Sequence, residues 1–134
     1  MSGIINLTRA ASIGIHACVL ISNSKDRLNV TQIADALKAS SHHVAKVLQK
    51  LAAEGILHSS KGASGGFSMA INPSKINLLH IYEIIQGPIE ESHCPEYSDI
   101  CPFDECIWGD FGNQTRENFK SYLASRSLES VKVD

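Results

Sequence analysis

The chain has 134 residues, of which 43% are hydrophobic and 19% charged, and its formal net charge is −2. This length suits one compact domain, and the composition is that of a folded soluble protein rather than of a disordered one. The sequence contains no uncharged apolar run of about 18 residues that would span a membrane, and it does not begin with a signal-peptide pattern. A cytoplasmic location is therefore expected.

The charges are unevenly distributed along the chain. Residues 1–86 contain 8 Lys and Arg against 4 Asp and Glu, whereas residues 87–134 contain 4 against 10. A mildly basic first part suits contact with phosphates, and an acidic second part suits a different task. A chance distribution is the alternative, because the positive excess in the first part is small.

Two capped helices are predicted at the start of the chain. Thr8 is placed to cap the first helix, which would run to about Ser22. Asn29, with Gln32 three residues later, forms a capping box that would open a second helix ending near Ala39.

The third predicted helix has the clearest functional pattern. Its apolar residues recur at the spacing of one buried stripe, at Val44, Val47, Leu48 and Leu51. Polar side chains that offer hydrogen-bond donors or positive charge lie on the other faces, at His42, His43, Lys46, Gln49 and Lys50. Only Ser40 and Ser41 separate this helix from the second one. So short a turn predicts a helix-turn-helix whose second helix recognises DNA.

Two short strands are predicted after this helix, at residues 56–60 and 67–71. The segment between them is rich in glycine and contains Lys61. The order of helix, helix-turn-helix and hairpin predicts a winged helix. The glycines permit close approach to a DNA backbone and the lysine supplies charge; alternatively, the glycines serve only the geometry of the turn.

Two further helices are predicted in the second part of the chain. Asn77 would cap one that carries apolar residues to Ile85 and is stopped by Gln86-Gly87-Pro88, and a last helix would start at Trp108 or Phe111 and end near Ser125. The last helix has an aromatic stripe that needs another surface. A second copy of the chain is the economical one, so a homodimer is expected.

The loop between these helices contains Cys94, Cys101 and Cys106. This spacing is not that of a zinc finger, but it is compatible with three thiolates around an iron-sulfur cluster. Idle reduced thiols are one alternative, and a redox switch in which Cys94 and Cys101 form a disulfide is another. Cys18 lies in the first helix and is expected to be a small core residue.

The order of these parts resembles that of the dimeric winged-helix transcription regulators of the IscR and NsrR type. The resemblance is found in Leu7-Thr8-Arg9, Gln32-Ile33-Ala34, residues 40–48, residues 51–57, the wing at residues 60–67 and three cysteines before a terminal helix. It implies a mainly α fold with a small β-hairpin wing. The winged helix-turn-helix DNA-binding domain would occupy residues 1–86, the cysteine loop residues 87–107, and a dimerisation helix with its tail residues 108–134.

The resemblance also implies a homodimer on a pseudo-palindromic operator in double-stranded DNA, with the recognition helix in the major groove and the wing in the minor groove. Together with the outward face of the recognition helix, it gives the residues expected to contact DNA: Ser40, Ser41, His42, His43, Lys46, Lys50, Lys61, Gly62, Ser64, Gly65 and Gly66.

In members of this type that bind a cluster, three loop cysteines bind the iron-sulfur centre, and here these would be Cys94, Cys101 and Cys106. Gly109 stands where the IscR type has its usual fourth ligand, and Ser12 stands where the NsrR type has its own. A fourth ligand would instead come from Ser12, His16, His93, Asp99, Asp104, Glu105 or an outside thiol.

The function expected from these features is transcription regulation by a protein that senses redox state, nitric oxide or iron-sulfur status. A winged helix used for protein contact and a cluster-free regulator with a thiol switch are the alternatives. An enzyme is not expected, because no nucleophile motif such as G-x-S-x-G is present.

Overall fold

The structure is a computed structural model, and it describes residues 4–90 and 101–133. Its elements are α1 (Arg9–Asn23), α2 (Val30–Leu37), α3 (Ser41–Ala53), β1 (Leu57–Ser60), β2 (Gly66–Met69), α4 (Leu78–Gln86) and α5 (Phe111–Ser125), with a short 3-10 turn at Pro73–Lys75. The predicted mainly α fold with a hairpin wing is confirmed. No helix within the described ranges is both long and apolar enough to cross a membrane.

The first three helices start where the sequence predicts, because each has a side-chain cap. Thr8 caps α1, and Asn29 with Gln32 forms both hydrogen bonds of the capping box at the start of α2. The Ser40 hydroxyl accepts a hydrogen bond from the His43 N–H at 3.1 Å. These caps satisfy backbone donors that have no partner inside the helix.

Helix α2 ends two residues before the predicted position. Lys38 adopts a left-handed conformation, with φ 52° and ψ 46°, and this breaks the helix. The Arg9 guanidinium lies 3.5 Å from the carbonyl oxygens of Leu37 and Lys38. A cation at the start of α1 therefore stabilises the C-terminal end of α2.

The wing is a two-stranded antiparallel sheet in which Leu57 pairs with Met69 and Ser60 pairs with Gly66. Both strands are shorter than predicted, and Gly66, expected in the turn, is the first residue of β2. Gly66 has φ 149°, and a Cβ on it would lie 2.8 Å from the Leu28 carbonyl oxygen. Only glycine fits there.

The base of the wing is attached to the segment before α2. Leu28 and Phe67 exchange two backbone hydrogen bonds of 3.2 and 2.8 Å. The wing therefore starts from a fixed position beside the helix-turn-helix, and only its tip extends from the fold.

The recognition helix is positioned by the stripe that the sequence predicts. Val44, Val47, Leu48 and Leu51 are all buried. They belong to one hydrophobic core with apolar residues of the other elements, including Ile13, Ala17, Cys18, Ile33, Ile56 and Ile81. Since α3 contacts α1, α2, α4 and β1, its polar face is the one that the described residues leave open to an outside partner.

Helix α5 packs against α4 within the same chain. The rings of Tyr82 and Phe119 meet edge to face, with centroids 5.3 Å apart, a favourable arrangement of two aromatic rings. Leu123, one turn after Phe119, is buried. Part of the predicted aromatic stripe is thus covered without a second copy.

The residues after α5 return to the winged helix. The Leu128 N–H donates to the Ile76 carbonyl oxygen at 2.8 Å, and the Leu78 N–H donates to that of Arg126 at 3.0 Å. The Asn23 side-chain amide donates to the Val131 carbonyl oxygen at 3.0 Å. The sequence suggested only a tail here, because the segment is too short to show an apolar period.

Leu128→Ala is expected to destabilise the protein by about 2–5 kcal/mol, because it removes a fully buried side chain from the core. Val133→Ala is the control, since Val133 lies in the same segment and is 49% exposed; its cost is expected to stay within about 0.5 kcal/mol. Urea denaturation at fixed protein concentration measures both values. Equal costs would show that the C-terminal segment does not contribute to the core.

Candidate nucleic-acid interface

The start of α3 presents a polar surface. Ser41, His42 and Lys46 are exposed, as is the capping residue Ser40, and His43 is half-buried. The structure places these five residues in the cap and the first two turns of α3. The arrangement suits hydrogen bonding to base edges and charge pairing with phosphates.

Lys50, one turn after Lys46, is directed elsewhere. Its ammonium nitrogen lies 3.5 Å from the carbonyl oxygen of Ile85 near the C-terminal end of α4. A cation is favoured at this end of a helix because the carbonyl groups point there. The sequence pattern could not reveal this, because it shows which face of α3 is polar and not which helix lies beside its end.

The tip of the wing is exposed from Lys61 to Ser64. The Gly65 N–H donates to the Gly62 carbonyl oxygen at 2.9 Å, and a Cβ on Gly65 would lie 2.4 Å from the Ser60 carbonyl oxygen. The glycines therefore make the turn compact. This supports the geometric reading of Gly65 and leaves Lys61 as the charged group of the wing tip.

The cysteine segment is only partly covered by the structure. Cys101 and Cys106 are exposed and not disulfide-bonded, on a stretch without helix or strand. Cys94, His93 and Asp99 lie outside the described residues. Within the described part of the chain, no three His, Cys, Asp or Glu side chains are grouped as metal ligands would be.

Cys18 is a core residue, as predicted. Burial raises the pKa of its thiol to about 12. The thiol is therefore protonated at neutral pH and is neither nucleophilic nor a good metal ligand.

Ser12 and His16, two candidates for a fourth cluster ligand, are neighbours on α1. The His16 Nδ1 lies 2.7 Å from the Ser12 carbonyl oxygen. Because a carbonyl oxygen only accepts, Nδ1 donates, and this leaves Nε2 as the acceptor. A histidine that ligates a metal through one nitrogen commonly has its other nitrogen fixed in this way.

Helix α5 and the residues before it expose several large apolar side chains. Phe111 is 54% exposed and Tyr122 57%, and Ile107 and Trp108 are also exposed. Phe111 and Tyr122 are three helical turns apart and lie on the same face. The predicted stripe is therefore divided: Phe119 packs inward, whereas Phe111 and Tyr122 point to solvent.

The comparison with known families agrees with this arrangement. The model of the Rrf2 family, described as an iron-dependent transcriptional regulator, matches residues 7–134. The chain belongs to the Rrf2 family.

Several transcriptional regulators are similar in sequence to this chain. A protein of Aquifex aeolicus, named as an HTH-type transcriptional regulator, is 30% identical over 116 residues, which cover 78% of each chain. The HTH-type transcriptional regulator NsrR of Shouchella clausii is 30% identical over 66 residues, which cover 49% of this chain and 44% of NsrR.

Solved structures of regulators show the same fold. CymR, the global cysteine regulator of B. subtilis, has a TM-score of 0.77 at 20% identity, with 94% of this chain and 95% of CymR covered. IscR of T. potens has a TM-score of 0.71 at 16% identity, with 94% and 85% covered. This Rrf2 protein is thus a transcriptional regulator with a DNA-binding winged helix, and its relatives are regulators and not enzymes.

Sequence reasoning missed a contact between the start of this Rrf2 protein and α4. The Tyr82 hydroxyl donates to the Asn6 carbonyl oxygen at 2.8 Å, and the Thr8 hydroxyl donates to the Gln86 side-chain oxygen. Burial raises the pKa of Tyr82, so its phenol remains a donor. The sequence feature that could have indicated this contact is a tyrosine within an apolar stripe, because a buried hydroxyl needs a hydrogen-bond partner.

Proposed function

We propose that this Rrf2-family protein binds a pseudo-palindromic operator as a homodimer and that its cysteine segment senses redox state, nitric oxide or iron-sulfur status. The DNA-binding part of the proposal is supported by one observation above all. The exposed polar turn at the start of α3 and the Lys61 wing tip both project from elements fixed by the core.

The contacts in the major groove would come from the start of α3. In the helix-turn-helix, the first turns of the second helix contact base edges. His42 and His43 have ring nitrogens that donate or accept, and Lys46 pairs with a guanine edge or a phosphate. Ser40 and Ser41 are short enough to bind phosphate where the helix enters the groove.

The wing would contact the minor groove through residues 61–66. Lys61 supplies the charge, and the small residues Gly62, Ser64 and Gly65 bring the backbone close to the DNA. Gly66 contributes less directly, because it is buried at the base of the wing. Lys50 would contribute less than Lys46, since its ammonium group lies near α4.

Lys46→Ala combined with Lys61→Ala is expected to weaken operator binding by at least about tenfold and to flatten its salt dependence. In a dimer that loses four phosphate contacts, the slope of log K against log salt would change by up to about 3 to 4. Fluorescence anisotropy at several salt concentrations measures both values.

The control for this experiment is Lys75→Ala, because Lys75 is exposed on the 3-10 turn before α4, outside the recognition helix and the wing. Equal effects of the control and the double variant would remove the contact assignment. A wild-type protein that binds every DNA only at the non-specific level would favour the winged helix as a protein-interaction module.

The homodimer is supported by the exposed aromatic face of α5. Phe111 and Tyr122 lie on the same side of this helix, and Trp108 and Ile107 precede it. Several large apolar side chains exposed on one helix and just before it favour an interface over a free surface. A second copy would cover it by a symmetric contact of α5 with α5, and a palindromic operator requires the same two-fold symmetry.

Phe111→Asp is expected to convert a dimer into a monomer, because it places a charge in the apolar contact. Ala124→Asp is the matched control: Ala124 is exposed on another face of the same helix. Sedimentation at micromolar concentration gives the oligomeric state of each. A wild-type monomer, or dissociation of the control to the same extent as Phe111→Asp, would contradict this interface.

The sensing part of the proposal depends on the chemistry of the cysteine segment. Cys101 and Cys106 are exposed thiols, Cys94 would supply a third thiolate, and thiolates are the usual ligands of iron-sulfur clusters. His16 is a fitting fourth ligand, because the Ser12 carbonyl oxygen fixes its Nδ1. When bound, such a cluster supplies a centre that changes with redox state or with nitric oxide.

Purification without oxygen is expected to give a brown protein that contains iron and sulfide, and Cys101→Ala is expected to remove the visible absorption. Cys18→Ala is the matched control, because Cys18 is a protonated core residue and its loss should leave the colour unchanged. A wild-type preparation without iron would contradict the proposal that the protein binds a cluster. Reversible oxidation of Cys94 and Cys101, measured by mass spectrometry, would then favour a thiol switch.

A further inference from the structure

A side chain from α1 contacts the turn of the helix-turn-helix. The Arg9 Nη2 lies 3.5 Å from the carbonyl oxygens of both Leu37 and Lys38. These are the last residue of α2 and its C-cap, and the last carbonyl groups of a helix have no partner within it. The residues proposed to contact DNA start only two positions later, at Ser40. Arg9 is not one of them, but it contacts the segment from which they start.

This turn has a backbone conformation that needs support. Lys38 is the one residue other than glycine with a positive φ among those that the structure describes. Its φ of 52° and ψ of 46° lie in the left-handed region, which favours glycine. A lysine keeps such a conformation where the surrounding contacts determine it. The Ala39 N–H donates to the Ala34 carbonyl oxygen at 3.0 Å, and the Arg9 guanidinium adds a contact from outside the helix.

Side-chain packing gives this end of α2 incomplete support. A concavity of about 260 Å³ lies between the two helices, where it is lined by Arg9 and His16 of α1 and by Ala36 and Leu37 of α2. Ala36 is exposed and Leu37 is half-buried. Since α2 has only eight residues, it depends on contacts with the rest of the fold for its stability. At its C-terminal end, Arg9 supplies such a contact.

The backbone from which Arg9 extends is itself fixed. The Thr8 hydroxyl caps α1 and donates to the Gln86 side-chain oxygen at the end of α4. The Tyr82 hydroxyl of α4 donates to the Asn6 carbonyl oxygen at 2.8 Å. The position of the guanidinium is therefore set by α1 and α4, and not by the turn that it contacts.

We propose that Arg9 is a positioning residue for operator recognition. Its guanidinium keeps Lys38 in the left-handed conformation and so sets the direction in which α3 leaves the turn. The proposal rests on the proposed function, because an operator is the ligand that this direction serves. Contacts with base edges need exact placement of the start of α3, whereas contacts with phosphates are present on every DNA sequence. Loss of Arg9 therefore affects specific binding more than non-specific binding.

Arg9→Gln is expected to weaken operator binding by about tenfold, because a turn that is native in about a third of protomers lowers affinity about threefold at each half-site. The affinity for scrambled DNA and the slope of log K against log salt are expected to stay unchanged. A direct phosphate contact of Arg9 in both protomers would change that slope by about 2. Fluorescence anisotropy measures all three quantities. A slope change of that size, or an equal loss of affinity for both DNAs, overturns the positioning role.

Lys38→Gly provides the comparison that identifies the cause. Glycine adopts the left-handed conformation without the cost of a Cβ, so a turn with Gly at this position needs Arg9 less. When Lys38→Gly is already present, Arg9→Gln is expected to weaken operator binding by less than about threefold. Equal losses with and without Lys38→Gly would show that the two residues act independently, and this overturns the proposal.

Hydrogen exchange in the free protein tests the same role without DNA. The Ala39 amide is expected to exchange at least about threefold faster in Arg9→Gln, because its bond to Ala34 opens when the turn loses its support. Lys25→Gln is the control, since it removes an exposed positive charge in the loop before α2 and should leave this amide at the wild-type rate. Unchanged exchange in Arg9→Gln, or an equal increase in the control, overturns the proposal.

The two measurements separate this proposal from the proposed function. Operator binding that Arg9→Gln leaves unchanged refutes the positioning role alone. A wild-type protein that binds every DNA equally refutes the proposed function, and faster exchange of Ala39 in Arg9→Gln then still supports the role of Arg9 in fixing the turn.

Discussion

The burial of one face of α4 is the constraint on which the rest of the structure depends. Ile81 and Tyr82 of this face are buried, and α4 contacts α1, α3 and α5. A glycine in α1 permits close contact with α4, since a Cβ on Gly14 would lie 3.2 Å from Cγ1 of Ile85. Because cores are closely packed and tolerate little displacement, the position of α4 fixes the recognition helix on one side and α5 on the other.

The surface available for DNA follows from this packing. Helix α3 buries Val44, Val47, Leu48 and Leu51, and its remaining polar residues cannot enter the core without losing water. The basic excess of residues 1–86 is therefore presented on the outside of the winged helix. The acidic excess belongs to residues 87–110, which contain seven Asp and Glu and no Lys or Arg, and this makes the segment unlike a second phosphate-binding surface.

The sequence predicted the elements that have strong local signals. Caps such as Thr8, Asn29 and Ser40 start helices through bonds to residues three positions later, and an apolar period of 3.6 marks each buried stripe. The position of α3 and the existence of the wing could therefore be predicted. The outward placement of His42 and Lys46 followed from the same period, and that of Lys61 from the glycine-rich segment between the two strands.

The features that sequence reasoning missed all depend on contacts between distant residues. Leu128 is one apolar residue in a polar segment, and only the three-dimensional fold shows that it enters the core. The direction of the Lys50 side chain depends on where α4 ends. Nothing in the sequence of α3 indicates that the end of α4 lies beside it. The division of the α5 stripe between Phe119 and Phe111 likewise depends on how much of that helix α4 can cover.

Under the proposed function, the arrangement of α4 and α5 would determine how a change in the cysteine segment reaches DNA. The two helices are antiparallel: a bridge between Asn77 and Ser127 joins one pair of ends, and residues 87–110 connect the other pair. Since the bridged ends are fixed by backbone hydrogen bonds, the sensing proposed above would act mainly on the other ends. Ile85 lies at one of them, and its carbonyl oxygen contacts Lys50 of the recognition helix. Allosteric coupling requires an element whose position both sites influence, and under the proposed function the C-terminal end of α4 would be that element.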